Sequence, residues 1–224
     1  ADLVPQMERM PDRTAPIEAA PAVFLILAGL FKKTVVANWL AARLADPVFA
    51  WPERFAGPDV ILGVYAYAVQ IYCDFSAYSD IAIGSALLMG FRFPANFNAP
   101  YFATNLQDFW RRWHISLSSW LRDYLYVPLG GSRRGAIRTY ANLLITFLLG
   151  GLWHGAAWTF LAWGAFHGMY LALERAVRGR LGLTRRHAAP APWPLALLGR
   201  IWIFHVVCFS WILFRGGRLE TVSA

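Results

Sequence analysis

The sequence predicts an all-α, polytopic membrane protein, and three observations carry that prediction. The chain is 58% hydrophobic and 16% aromatic but only 15% charged, against roughly 45–50% apolar and about 25% charged residues in soluble domains. Its apolar residues gather in long stretches separated by turn-rich or basic segments. One stretch, residues 139–173, contains no Lys, Arg, Asp or Glu and holds His154 near its middle. The net charge of +8 is clustered beside these runs, the pattern of cytoplasmic loops under the positive-inside rule. The expected surroundings are therefore a lipid bilayer, and no nucleic-acid partner is expected.

Residues 1–18 read as a Pro-rich polar lead-in loop without the pattern of a signal peptide. Residues 19–224 form the membrane core, and the chain reads as an internal portion of a longer protein. Ala19–Leu44 is apolar but interrupted by Lys32 and Lys33. A span needs about 20 apolar residues, so the expectation is a short membrane segment ending at a basic interface, followed by an amphipathic helix. Residues 46–59 read as an interfacial loop. Val60–Phe93 is the next long apolar stretch, and its Asp74 and Asp80 must face protein or water rather than lipid. Six residues apart, they do not share one helix face, so each is expected to pair with a cation such as Arg92, Arg111 or Arg112. Residues 94–105 are turn-rich.

From Leu106 to Leu125 the apolar residues recur at helical spacing, opposite Arg111, Arg112, Ser116, Ser119, Arg122 and Asp123. This predicts one amphipathic helix lying at the interface, anchored by Trp110, Trp113 and Trp120 at headgroup depth. His114 falls at the edge of its apolar stripe. The uncharged run follows. As one helix its 35 residues would extend about 50 Å, well beyond a hydrocarbon core of about 30 Å. Arginines flank it on both sides: Arg133, Arg134 and Arg138 before, and Arg175, Arg178, Arg180, Arg185 and Arg186 after. If both flanks are cytoplasmic, the run goes in and returns, as a hairpin or as a pair of broken helices, breaking at Gly150, Gly151 and Gly155, with His154 at the tip facing a polar pocket. Residues 183–194 read as a loop and Trp193–Phe214 as a further span.

An ionisable residue at membrane depth is a functional-site hypothesis. An imidazole kept neutral in a dry pocket, from an ordinary pKa of about 6.5, can take a hydroxyl proton as a general base. The alternative is a structural histidine bonded to a backbone carbonyl that the glycine break releases. His114, His167, His187 and His205 complete the set. No two histidines stand three or four apart, so no metal is expected; haem ligation from two spans stays open. Cys73 and Cys208, far apart in apolar runs, read as buried free thiols.

Several long strings go further. They are AGLFKKTVVAN (28–38), YCDFSAYSDIAIG (72–84), GFRFPANFNAPY (90–101), FWRRWHISLSSWLRDYLYVPLGG (109–131), NLLITFLLGGLWHGAAWTFLAWGAFHG (142–168) and FSWILFR (209–215). In this order and spacing they resemble the membrane-bound O-acyltransferase (MBOAT) family, specifically the bacterial branch that O-acetylates alginate and other exopolysaccharides. Departures are Cys73 where an aromatic is usual and Gly150 where Thr is commoner. The resemblance implies a multi-helix, funnel-like core with interfacial and re-entrant helices in the bacterial inner membrane. It also implies transfer of an acetyl group from a cytoplasmic donor, such as acetyl-CoA used as substrate, towards hydroxyls of an exported polysaccharide such as alginate. No bound cofactor is implied. Periplasmic polysaccharide-acetylation proteins are the implied partners. His154 in GLWHGA maps to the family's catalytic histidine and His114 in RRWHIS to its second polar point. Asp74, Asp80, Arg111, Arg112, Trp113 and Trp153 are candidate substrate-binding or supporting residues around them. Rival readings are a D-alanyl or other acyl transferase of the same superfamily using a carrier-protein donor, and a non-enzymatic channel or transporter with His154 lining a pore.

Overall fold

A computed structural model describes residues 4–8, 17–181 and 192–216, and these are mainly helical with no strand among them. Two compact units divide at Phe97 and Asn98. The expected loop at 183–194 and the positions Arg185, Arg186, His187 and Arg218 lie wholly or largely outside the described residues.

The first unit begins with a helical turn, α1 (Val4–Glu8). The lead-in is thus not simply a loop, because Gln6 fastens it to Arg92. The Gln6 amide donates to the Arg92 carbonyl at 2.9 Å and its oxygen accepts the Arg92 N–H at 2.8 Å. Next, α2 (Ala19–Ala50) is one unbroken helical span of 32 residues. This corrects the expectation of a segment ending at the lysines followed by an interfacial loop from residue 46. The lysines stay inside the span because α3 (Gly57–Leu88) answers them. Lys32 Nζ lies 2.5 Å from Asp80 and donates to Ser76 at 3.0 Å, and Lys33 Nζ meets Asp74 at 2.7 Å. Arg92 pairs instead with Glu18, so the arginine partners expected for the two aspartates are not the ones used.

The backbone explains how neighbouring lysines reach one helix. From Lys32 to Ala37 the chain widens to π-helical turns, which bring consecutive side chains closer in direction than α-helical turns do. Close approach of α2 and α3 rests on small residues, as in lipid it must. A Cβ on Gly84 would stand 2.6 Å from the Ala22 carbonyl oxygen, and one on Gly29 2.8 Å from that of Ala77. The turn-rich segment after α3 packs back on it: Phe97 meets the rings of Tyr72 and Phe75 edge-on, and Asn96 donates to Ser79.

In the second unit the expected long amphipathic helix is two short ones, α4 (Leu106–Arg112) and α5 (Ile115–Leu121). His114 between them takes a left-handed backbone conformation, φ 44°. The Asn105 side chain caps α4 by accepting the Asp108 N–H at 2.9 Å, and the Glu174 carboxylate accepts the Leu106 N–H at 2.7 Å. Of the three expected headgroup anchors only Trp120 is exposed. Trp110 and Trp113 belong to the core, because the kink turns the α4 aromatics into the unit.

The uncharged run does fold back on itself, as α6 (Gly135–His154) and α7 (Trp158–Arg180). Its turn lies at 155–157, where Gly155 has φ 159°. Gly150 and Gly151 are ordinary helical positions and not part of the break. Gly151 lets the helices touch. A Cβ on Gly151 would lie 2.2 Å from the Phe160 carbonyl oxygen, and one on Gly164 2.2 Å from that of Phe147. The last helix, α8 (Trp193–Gly216), packs on α7. Among the described residues, four helical segments are long and apolar enough to cross a membrane: Ala19–Ala50, Gly57–Leu88, Ala136–His154 and Trp193–Gly216. The chain is an all-α, multi-pass membrane protein.

Candidate functional site

The site assembles at the turn of the α6–α7 hairpin. His154 is the last residue of α6 and is half-buried. Aromatic rings from two neighbouring helices pack around its imidazole. Trp163 of α7 stands edge-on at 5.3 Å, Phe214 of α8 edge-on at 5.0 Å, and Phe160 lies tilted at 6.1 Å. Among the described residues its ring nitrogens have no side-chain hydrogen-bond partner. The backbone carbonyl invoked by the structural alternative for His154 does not take its proton here.

His114 comes to the same place by another route. The left-handed turn between α4 and α5 aims its ring at Trp153, 6.4 Å away, while Trp153 lies 4.9 Å from His154. The Trp153 indole thus touches both imidazoles, and it is 62% exposed. Ser116 Oγ lies 3.4 Å from His114 Nδ1. Burial pushes the His114 pKa down to about 4, and the nearby His154 adds to the shift. At neutral pH His114 is therefore an uncharged donor–acceptor.

The other candidates separate. Trp113 is buried, stacked on Phe109 at 5.6 Å and against Trp211 at 5.0 Å; it fixes the kink from inside. Arg112 pairs with Asp108 at 3.0 Å and reaches the Asn98 carbonyl, holding the entry loop to α4. Asp74 and Asp80 belong to the first unit and are engaged by the lysines of α2. Arg111 lines a cavity of about 450 Å³, with Trp110, Arg122 and Arg175 among its walls. Neither His114 nor His154 lines it.

Two features escaped the sequence. Phe160, Trp163 and Phe214 around His154 look like any membrane aromatics until α8 is docked. His167, which reads as a packing residue, is fully buried and accepts the Trp110 indole N–H on Nδ1 at 3.3 Å. That bond puts its proton on Nε2, which has no partner among the described residues. The rings of Trp110, His167, Trp163 and His154 succeed one another at 5.2, 4.8 and 5.3 Å, so one aromatic row connects the cavity wall to His154.

Comparison with known proteins identifies the family. The profile of the membrane-bound O-acyltransferase family matches residues 9–214. The chain belongs to that family. Among curated members, it is 50% identical over 192 residues to a protein of Azotobacter vinelandii named probable alginate O-acetylase AlgI, covering 86% of this chain and 36% of that one. It is 43% identical over 202 residues to the peptidoglycan O-acetyltransferase of Helicobacter pylori, covering 90% and 37%. It is 32% identical over 212 residues to the teichoic acid D-alanyltransferase of Streptococcus thermophilus, covering 87% and 51%. The chain thus spans about a third of the length of the O-acetylase relatives. Family membership accounts for the motif strings, including those that carry His114 and His154.

Proposed function

We propose that the full protein is an O-acetyltransferase of the bacterial inner membrane, moving acetyl from a cytoplasmic thioester donor such as acetyl-CoA to a hydroxyl of an exported polysaccharide such as alginate. The observation that carries this reading is His154 itself: an imidazole at a hairpin turn, ringed by aromatics, without a side-chain partner and joined through Trp153 to His114. Satisfied polar groups hold a fold together; a half-exposed imidazole with its ring nitrogens unengaged is available for chemistry. The identities support acetyl over D-alanyl, since the relatives named for O-acetylation match at 50% and 43% and the D-alanyltransferase at 32%.

In this mechanism His154 acts as general base. It takes the acceptor hydroxyl proton as the oxygen attacks the thioester carbonyl, the C–S bond breaks, and the proton passes to the departing thiolate. His114, neutral at the pH of the reaction, hydrogen-bonds the reacting oxygen or holds the substrate against Trp153. Periplasmic acetylation proteins carry the group onward where the acceptor is not reached directly. The test is polymer-bound acetate in cells carrying the full-length protein with His154→Ala, membrane expression being confirmed. A positioned general base supplies roughly 10²–10⁴-fold, so acetate is expected to fall at least a hundredfold. Wild-type acetylation in that variant removes the assignment.

A further inference from the structure

The cavity beside α4 and α5 is chemically mixed. Arg111, Arg122 and Arg175 line it together with Trp110, Leu143, Phe147 and Leu171. Its volume, about 450 Å³, lies in the range of small-molecule sites. The cationic lining is not neutralised from within. Arg122 is held bidentate by Asp123 at 2.7 and 2.9 Å. Glu174, the one carboxylate in the wall, already accepts the Leu106 N–H at 2.7 Å and lies 3.8 Å from Arg178. Among the described residues Arg111 and Arg175 make no ion pair. Ser119 adds a hydroxyl to the same lining, beside Ser118, whose hydroxyl donates to the Trp113 carbonyl at 3.1 Å.

Two guanidiniums outside any ion pair, in a lining that also holds hydroxyls and apolar side chains, fit one ligand chemistry. Guanidinium binds phosphate oxygens through paired N–H donors, and the indole and aliphatic wall suits an organic substituent. We propose that this cavity binds a phosphate ester, its phosphate held between Arg111 and Arg175 and its organic part laid against Trp110, Phe147 and Leu171. The site is separate from the histidine pair and does not depend on the acyl-transfer reading. The ester is either a phospholipid headgroup or a soluble molecule, and both present the same group to the arginines.

The full-length protein in nanodiscs separates the sources. Retention of phosphatidylglycerol is read by native mass spectrometry against phosphatidylcholine, and binding of sn-glycerol 3-phosphate and of ADP by calorimetry. Arg111→Gln and Arg175→Gln are each expected to weaken the ligand at least tenfold, Arg122→Gln less than threefold, and added salt to weaken binding further. Loss confined to phosphatidylglycerol assigns a lipid; loss confined to a soluble phosphate assigns a free ester; either supports the proposal. Ser119→Phe, which fills the cavity without removing a charge, is expected to abolish the same binding. If no probe binds, or if the glutamine and phenylalanine variants bind as wild type, the proposal is wrong.

Discussion

Two adjacent glycines in α6 make opposite predictions. A Cβ at Gly151 would meet the Phe160 carbonyl oxygen at 2.2 Å, whereas at Gly150 its nearest neighbour is Leu121 Cδ1 at 3.3 Å. The first obstacle is backbone of the partner helix and the second is the end of a flexible side chain. For Gly151→Ala to reach even a tight 3.0 Å contact, the helices must part by about 0.8 Å at the hairpin turn. Overpacking of that kind costs about 1–3 kcal/mol, partly offset by the roughly 0.5–1 kcal/mol that Ala gains over Gly in a helix. Gly150→Ala collects the same propensity gain with little clash. The expectation is a melting temperature a few degrees lower for Gly151→Ala and unchanged or higher for Gly150→Ala. Both are measured on the full-length protein in detergent by fluorescence-detected size exclusion. Because Phe160 and Trp163 ride on α7, an opening near 1 Å also displaces the rings around His154. Misplacement on that scale lowers rates by about 10²-fold, so acetylation falls more than stability does. Equal melting temperatures for the two variants would refute the reasoning from close approach.

Other outcomes follow from the same contacts. His114→Asn keeps a residue that tolerates the left-handed turn and removes the imidazole; it is expected to fold as wild type and lose acetylation, while His114→Val fails at folding, as thermal melting and expression would reveal. The neutral form of His114 is favoured in the fold, so its stability contribution is complete above about pH 6.5 and is lost as pH falls towards about 4; thermal melting against pH should lose that acid-side decline in His114→Asn. Asp80→Asn is expected to destabilise by about 1–3 kcal/mol and Asp74→Asn by less than about 1 kcal/mol, because the Lys32–Asp80 pair is the more buried (26% and 25% exposed against 46% and 38%); urea or thermal unfolding ranks them. Glu174→Ala removes the carboxylate on the first turn of α4 and should cost about 1–2 kcal/mol, read in the same assay.

What the sequence disclosed and what it hid divide along one line. The α6–α7 hairpin was legible because 35 uncharged residues between arginines cannot be one span, and that is an argument about length. The place of its turn was not, since Gly150, Gly151 and Gly155 look alike in one dimension. Two serve a neighbour 9 to 30 residues away and only Gly155 serves the turn. The break at His114 was hidden for a related reason. Apolar periodicity through Trp110, Trp113 and Leu117 continues across it, because those side chains face the core on both sides of the kink. Lys32 and Lys33 misled most. A charge pair in an apolar run suggests an interface until its partners appear at Asp74 and Asp80, more than forty residues on.

That last correction sharpens the case for His154. The first unit shows what this chain does with intramembrane charges that hold structure: each lysine meets an aspartate, and Ser76 takes a further proton. In the second unit His167 follows the same rule in part. It is wholly enclosed and bonded to Trp110 on one nitrogen, out of reach of any substrate. His154 follows neither pattern. It is half-buried, with rings on several sides and no side-chain bond among the described residues. His154 stands without a side-chain bond beside an exposed tryptophan that touches a second imidazole. A half-buried imidazole without a bond is unfavourable to folding, and we propose that its partner arrives with the substrate, as the acceptor hydroxyl whose proton it would take.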